Sequence, residues 1–448
     1  MAVKKYDRDP IASIYESYFG INTQTHCVKA EIIRPTKDPE GFQRIKEQYE
    51  EHLKSHSNRE AVAKRLYVSD HHIIHLQAVF PVSDLEDLQE ESSFYYPICT
   101  VDEIKRIENP VSAEDILLRI RAEDIANHPR VTRTFLKRRE LHEGEWSLTG
   151  YYRAPDFHRY LRKLTSKNAE ICRSIPAGFA PSREPHGYCL KTNFGKLVVV
   201  SEPLKHFLYN MYIFMFGGAY GVSRDDTFSA FIIASRTMLL TEAQDFDLDP
   251  RSENLPEELQ VIANEVVRDQ LQFIIGHEYA HALLGHHEAS SAVGITPKHL
   301  FSTAQMSQTW YTPSQKNEFE ADAASILQAT YRGDECADVL NGATLYFLQL
   351  ELYYVVAHYI NPQHNRSSTH PDPIDRIWAL RKAVREKTGL PQGAFTDEEV
   401  QRFIDEMSGG KRWLENEYLP FYIESFEDYG SVYLEESRGT PRVDRFDY

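Results

Sequence analysis

The chain of 448 residues has no uninterrupted apolar run of the roughly 18 residues that a membrane-crossing helix needs. Phe207 to Phe216 is apolar apart from Asn210 but too short, and Leu340 to Ile360 carries Gln349, Glu351 and His358, which reads as a buried core helix. Cysteine is scarce: five residues, an odd number without metal-type spacing, fit reduced thiols rather than a disulfide framework. The opening Met1-Ala2-Val3-Lys4-Lys5-Tyr6-Asp7 lacks the apolar core of a secretory signal, so a cytoplasmic location is expected. Basic residues are outnumbered, 50 Lys and Arg against 67 Asp and Glu, and the net charge of -17 argues against nucleic acid or an anionic membrane as the main partner. Internal repeats and low-complexity segments are missing as well. With 42% hydrophobic residues the chain can still bury a large core, and at this length two domains are expected.

The most informative stretch present is Gly276-His277-Glu278-Tyr279-Ala280-His281. Apolar Ile262, Val266, Phe273, Ala280 and Leu284 recur around it at helical spacing, with Pro256 near the start and Gly285 near the end, so a helix packed into a core is expected. Residues four apart share a helical face, which lets His277 and His281 aim their imidazoles at one ion. Glu278 is one position round, where its carboxylate can reach a water beside that ion without ligating it. Two ligands and a base are what a zinc peptidase needs. A histidine pair on a core helix is also a common structural feature, so the reading depends on what the rest of the chain supplies.

Downstream, Asn317-Glu318-Phe319-Glu320-Ala321-Asp322 supplies carboxylates. Thr312-Pro313-Ser314-Gln315 reads as a capping box opening a second helix, which Gly333 can close. Glu318 and Asp322 then share a face, and Glu320 points away. Glu318 can complete a His, His, Glu site for one Zn2+ per chain, with Asp322 holding a ligand histidine through its second ring nitrogen. The alternative is an ordinary solvated acidic face. A third element, Ser368-Thr369-His370-Pro371-Asp372-Pro373, places His370 in an extended loop before a helix whose Ile374, Ile377 and Leu380 pack inward. From there His370 can donate to the oxyanion of a tetrahedral intermediate or cap the metal in a resting state. Arg376 is a second positive group for the site, or else a partner for Asp372 or Asp375.

In order, His277-Glu278-x-x-His281 with His286 five positions later, Glu318-Phe319-Glu320-Ala321-Asp322, and Thr369-His370-Pro371 followed by Arg376-Ile377 resemble the gluzincin peptidases of the HtpX and CaaX-prenyl endopeptidase group. The resemblance covers residues 185 to 385 and includes Tyr188 to Ser201, which is similar to the hairpin preceding the zinc helix in that group. It implies zinc on His277, His281 and Glu318, Glu278 as general base, and His370 as a transition-state or latch histidine. HtpX-like members span a membrane; soluble gluzincins include the Lit-type phage-exclusion peptidases, and that resemblance implies an intracellular protein as substrate. A metzincin arrangement would use His287 as third ligand, but its glycine falls at 285 rather than 284 and Met306 is a poor Met-turn residue, so Glu318 is preferred. His286 and His287 read as polar residues finishing the helix, where imidazolium suits the dipole.

The expected fold class is α+β: a mostly helical gluzincin-type domain at 166–390 with a small antiparallel sheet, preceded by a mixed α/β N-terminal domain at 1–165 and followed by an acidic, aromatic segment at 391–448. In the first part Arg65 to Val82 alternates as one strand, on which His71 and His72 would face opposite sides, and Lys137-Arg138-Arg139 reads as a solvated helix face. In the last part Thr396 to Met407 reads as a short acidic helix ended by Ser408-Gly409-Gly410, and the aromatics after Trp413 should fold back onto the body or a partner. The expected function is an intracellular zinc endopeptidase whose protein or peptide substrate lies as an added strand along the hairpin edge. The N-terminal domain, the C-terminal segment or a regulatory partner there would restrict access. A zinc-site regulator or sensor of the same fold, with rare or conditional cleavage, would use the same residues.

Overall fold

The computed structural model describes residues 10–36, 39–55, 65–85, 88–142, 144–182, 187–239, 255–286, 315–360 and 371–423. They divide into two compact units, one within 1–110 and 125–151, the other within 111–124 and 152–428. Helices predominate, and each unit holds one three-stranded sheet among the described residues.

In the first unit β1 (His26–Ile33), β2 (Leu66–Val68) and β3 (Ile73–Pro81) form an antiparallel sheet in the order β1-β3-β2. The helix Pro39–Ser55 lays Phe42, Ile45 and Tyr49 against Leu66 and Ile73. The alternating stretch from Arg65 is therefore two strands, not one. The Ser69 hydroxyl accepts the amides of His71 and His72 and donates to the His72 carbonyl, closing a turn that carries both histidines. The basic run on the helix Pro129–Leu141 is also not a solvated face. Arg138 is buried, its guanidinium 5.0 and 5.5 Å from the rings of Phe135 and Tyr151, and Arg139 donates to the carbonyls of Tyr96 and Pro97.

In the second unit the expected hairpin is present: β5 (Gly187–Thr192) pairs antiparallel with β6 (Gly195–Ser201), from Gly187 opposite Val200 to Thr192 opposite Gly195. A further strand, β4 (Ala177–Ala180), adds in parallel to the other side of β6. The continuous run Leu197-Val198-Val199-Val200 is wholly buried because β6 is central, which leaves β4 and β5 as the edges. Ile116, Leu117 and Ile120 pack onto Ala180, Leu190, Leu197 and Val199.

Against this sheet runs the helix Glu257–Leu284, with Pro256 at its start and Gly285, at φ 71°, in the left-handed turn that ends it. The helix Asp334–Ile360 is buried along most of its length, and its polar residues find partners: Gln349 accepts from Gln270 at 2.9 Å, and Glu351 is paired with Lys411. No helix among the described residues is long and apolar enough to cross a membrane. Lys411 belongs to the helix Asp397–Trp413, which a Thr396/Glu399 capping box opens and which runs straight through Ser408-Gly409-Gly410. The expected stop fails because the helix is held beyond it: Lys411, one residue on, is anchored to Glu351. The acidic helix, Gln315–Leu327, ends before Gly333. The Thr330 amide donates to the Lys163 carbonyl at 2.6 Å, drawing the chain out of the helix.

Candidate metal centre

The site is assembled where Glu257–Leu284 crosses Gln315–Leu327. At the crossing Ala280 packs on Ala321 and Ala324, and side chains this short let two helices approach closely. Glu318 and Asp322, i and i+4, therefore both meet the face that carries His277 and His281. All four are buried, the carboxylates to 1% exposure. His277 Nε2 and His281 Nε2 are 3.0 Å apart; Glu318 Oε2 is 3.5 Å from the first and Oε1 is 3.4 Å from the second.

These three residues form a buried group that could hold a metal ion. A tetrahedral zinc with bonds of about 2.0–2.2 Å sets its ligand atoms roughly 3.3–3.6 Å apart, close to the separations of this triangle. The tautomers fit too. His277 Nδ1 lies 2.8 Å from Asp322 Oδ1, and a carboxylate there fixes the proton on Nδ1, turning the Nε2 lone pair towards the centre. Three buried acids, Glu278, Glu318 and Asp322, gather at the site, and the Arg376 guanidinium lies against Glu318 and Asp322. Without a metal, burial lowers the His277 pKa, but Asp322 and Glu318 more than offset it and hold the ring up to about 10. Burial takes His281 down to about 4. The carboxyl of Glu278 is pushed up to about 8, chiefly by burial, with His277 and Arg376 opposing and Glu318 reinforcing.

Behind His277 the support is charged. Arg376 grips Asp322 with two hydrogen bonds, Nε to Oδ2 at 2.8 Å and Nη2 to Oδ1 at 2.7 Å, and its Nη2 lies 3.4 Å from Glu318 Oε2. Burial alone would raise the Asp322 carboxyl; Arg376 and His277 hold it below the usual carboxylate range. The guanidinium also stacks 4.6 Å over the Phe347 ring. Arg376 comes from the helix Pro373–Thr388, whose first amide is capped by Asp372, so Arg376 reaches across to another helix and Asp372 serves the helix start.

Behind His281 the support is a second imidazole. The left-handed turn at Gly285 brings the chain back, the His286 amide donates to the His281 carbonyl, and His286 Nδ1 ends 2.9 Å from His281 Nδ1. His286 Nε2 is 3.4 Å from Glu320 Oε2. His286 is thus not a solvated imidazolium at a helix end: it is 6% exposed, and burial lowers its pKa. The glycine after Leu284 is the sequence signal that could have found it. Glu320 does point away from the ligands, towards His286, with half its side chain exposed.

Thr369 and His370, the rival ligand His287 with Met306, residues 312–314 of the expected capping box, and the chain after 423 lie outside the described residues. Comparison with curated proteins and with solved structures returns no match. The model of the family Peptidase U49 matches residues 238–390, the stretch that contains every residue of this cluster, and the match supports a protease function.

Proposed function

We propose that this chain is a zinc-dependent endopeptidase in which His277, His281 and Glu318 hold the ion and Glu278 is the general base. The observation that carries the reading is the meeting of two Nε2 atoms and a carboxylate at zinc-like spacing, with a further buried acid, Glu278, next in sequence to the first ligand. Zinc bound by such a set supplies Lewis acidity, polarising a carbonyl and lowering the pKa of water. Glu278 takes a proton from the attacking water and delivers it to the leaving amine, a task suited to a carboxyl raised into the neutral range. Asp322, positioned by Arg376, holds His277 in the tautomer that ligates. The substrate main chain lies along the free edge of β5, the strand beside Glu278. His370 acts as an oxyanion donor or as a resting-state latch, and an intracellular protein, as the Lit-type resemblance implies, is the substrate.

The test joins metal analysis with a comparison of cleaved proteins in cells expressing the wild type or Glu278→Gln. One zinc per chain in both proteins, with new cleavages only in the wild type, is the expected result. A Glu278→Gln protein that cleaves as the wild type does would overturn the role of Glu278. Protein that takes up no zinc would overturn the site. For His370, substitution by alanine lowers turnover about 10²- to 10³-fold if it is an oxyanion donor and raises basal activity if it is a latch.

A further inference from the structure

Gly187 is the first residue of edge strand β5 and lies opposite Val200 of β6. It is not one of the glycines with positive φ, so the backbone conformation there does not require the residue type. Space does. A Cβ built on Gly187 would stand 2.7 Å from both Cδ and Oε1 of Glu278 and nearer still to Cγ, distances that real Cβ atoms do not show. The Glu278 side chain is 4% exposed and fills the volume that any other residue at 187 would claim.

The two sides of this contact are unequal in stiffness. β5 is held along its length by β6, from Gly187 to Thr192, and Leu190 is packed in the core under Ile116 and Leu117. Moving the strand would break ladder hydrogen bonds and empty that core. Glu278, although buried, has three rotatable bonds and yields first. We propose that Gly187 is a positioning residue for Glu278: the missing side chain forms a slot at the mouth of β5 that holds the carboxylate against the strand edge. Resting on the endopeptidase reading, this contact also explains how base and substrate are brought into register. The strand that would pair with the substrate main chain is the strand that stops the carboxylate, so the distance from the base to the bound peptide is set by one piece of backbone.

The experiment is a double-mutant cycle on the zinc-loaded full-length protein, read by thermal melting, zinc content and hydrolysis of a protein substrate. Gly187→Ala should keep one zinc per chain and lower kcat by about 10²-fold or more while KM changes by less than about threefold, because base geometry is lost and the ligands are untouched. Adding Gly187→Ala to Glu278→Asp, whose carboxylate is one methylene shorter, should cost at least about tenfold less than in the wild type. In melting, Gly187→Ala should lower the midpoint in the wild type and much less in a Glu278→Ala background. An equal loss of stability in both backgrounds overturns the slot, whatever the enzyme does. Should Gly187→Ala alone fail to fold, recovery of folding by Glu278→Ala supports the contact and continued failure overturns it. If the wild type cleaves nothing, the endopeptidase reading fails, and the melting cycle still decides whether Gly187 and Glu278 share this space.

Discussion

The two histidines of the candidate metal centre sit one helical turn apart, yet they are supported by opposite means. His277 leans on Asp322, a buried carboxylate locked by two hydrogen bonds from a buried arginine that itself stacks on Phe347. His281 leans on His286, a neutral ring that leads outward to a half-exposed Glu320. Charge in a dry environment is strong and costly to disturb; an imidazole pair ending at the surface is weaker and more tolerant. The site thus has a rigid side and a soft side, and substitutions should report that asymmetry.

The largest effect comes from removing what both sides share. Glu318→Ala deletes the carboxylate that faces both rings, and zinc content measured after desalting should fall from one per chain to below about a tenth, with hydrolysis gone. Asp322→Ala attacks the rigid side. It should weaken zinc by about 10- to 100-fold in chelator competition. It should also destabilise the fold by about 3–5 kcal/mol in urea, since Arg376 is left buried without its main partner. Retention of full stability would show that the arginine can find other acceptors.

A pH series sharpens the comparison. In the metal-free site the His277 pKa is raised from 6.5 to about 10 and that of His281 is lowered to about 4, so at neutral pH the pair carries one proton beyond those of two neutral rings, on the rigid side. The ion must displace it. Zinc affinity should therefore rise about tenfold per pH unit through the neutral range, and calorimetry in buffers of different ionisation enthalpy should count about one proton released. The same proton stabilises the metal-free fold fully below pH 6.5, and this contribution is lost as pH rises through about 10. Affinity that does not vary with pH would place the proton elsewhere.

On the soft side, His286→Ala should cost less than Asp322→Ala, roughly tenfold in zinc affinity by the same competition assay. Glu320→Ala should be the mildest, within about twofold in affinity and under ~1 kcal/mol in stability, as expected of a partly exposed pair. A Glu320→Ala loss equal to that of Asp322→Ala would abolish the distinction between the two sides.

What could be read from the sequence follows the same physical line. A helix converts spacing into geometry, so the pairing of His277 with His281 and of Glu318 with Asp322 on common faces was legible, as were the helix limits at Pro256 and Gly285. The hairpin at Tyr188 to Ser201 was legible because one of its strands is a continuous apolar run and the other alternates. What could not be read depends on how elements cross. Arg376 meets Asp322 only because two helices are set side by side; His286 meets His281 only because one glycine reverses the chain. Arg138 is buried because aromatic rings from elsewhere in its unit surround a run that looks solvated. Gly409 and Gly410 behave likewise: a pair of glycines stops a helix in isolation but is carried through when the residue that follows, Lys411, is paired with Glu351 of another helix.

The contact of Ala280 with Ala321 and Ala324 acts as a spacing gauge for the whole centre. None of the three touches the ion's position, yet their methyl groups set how near two helices come, and so whether the Glu318 oxygens fall within bonding reach of a cation centred between the rings. Any selectivity of the site for small cations over larger ones would then be a mechanical property of a helix crossing. Enlarging one methyl there would widen the coordination triangle as effectively as changing a ligand, with every ligand still in place.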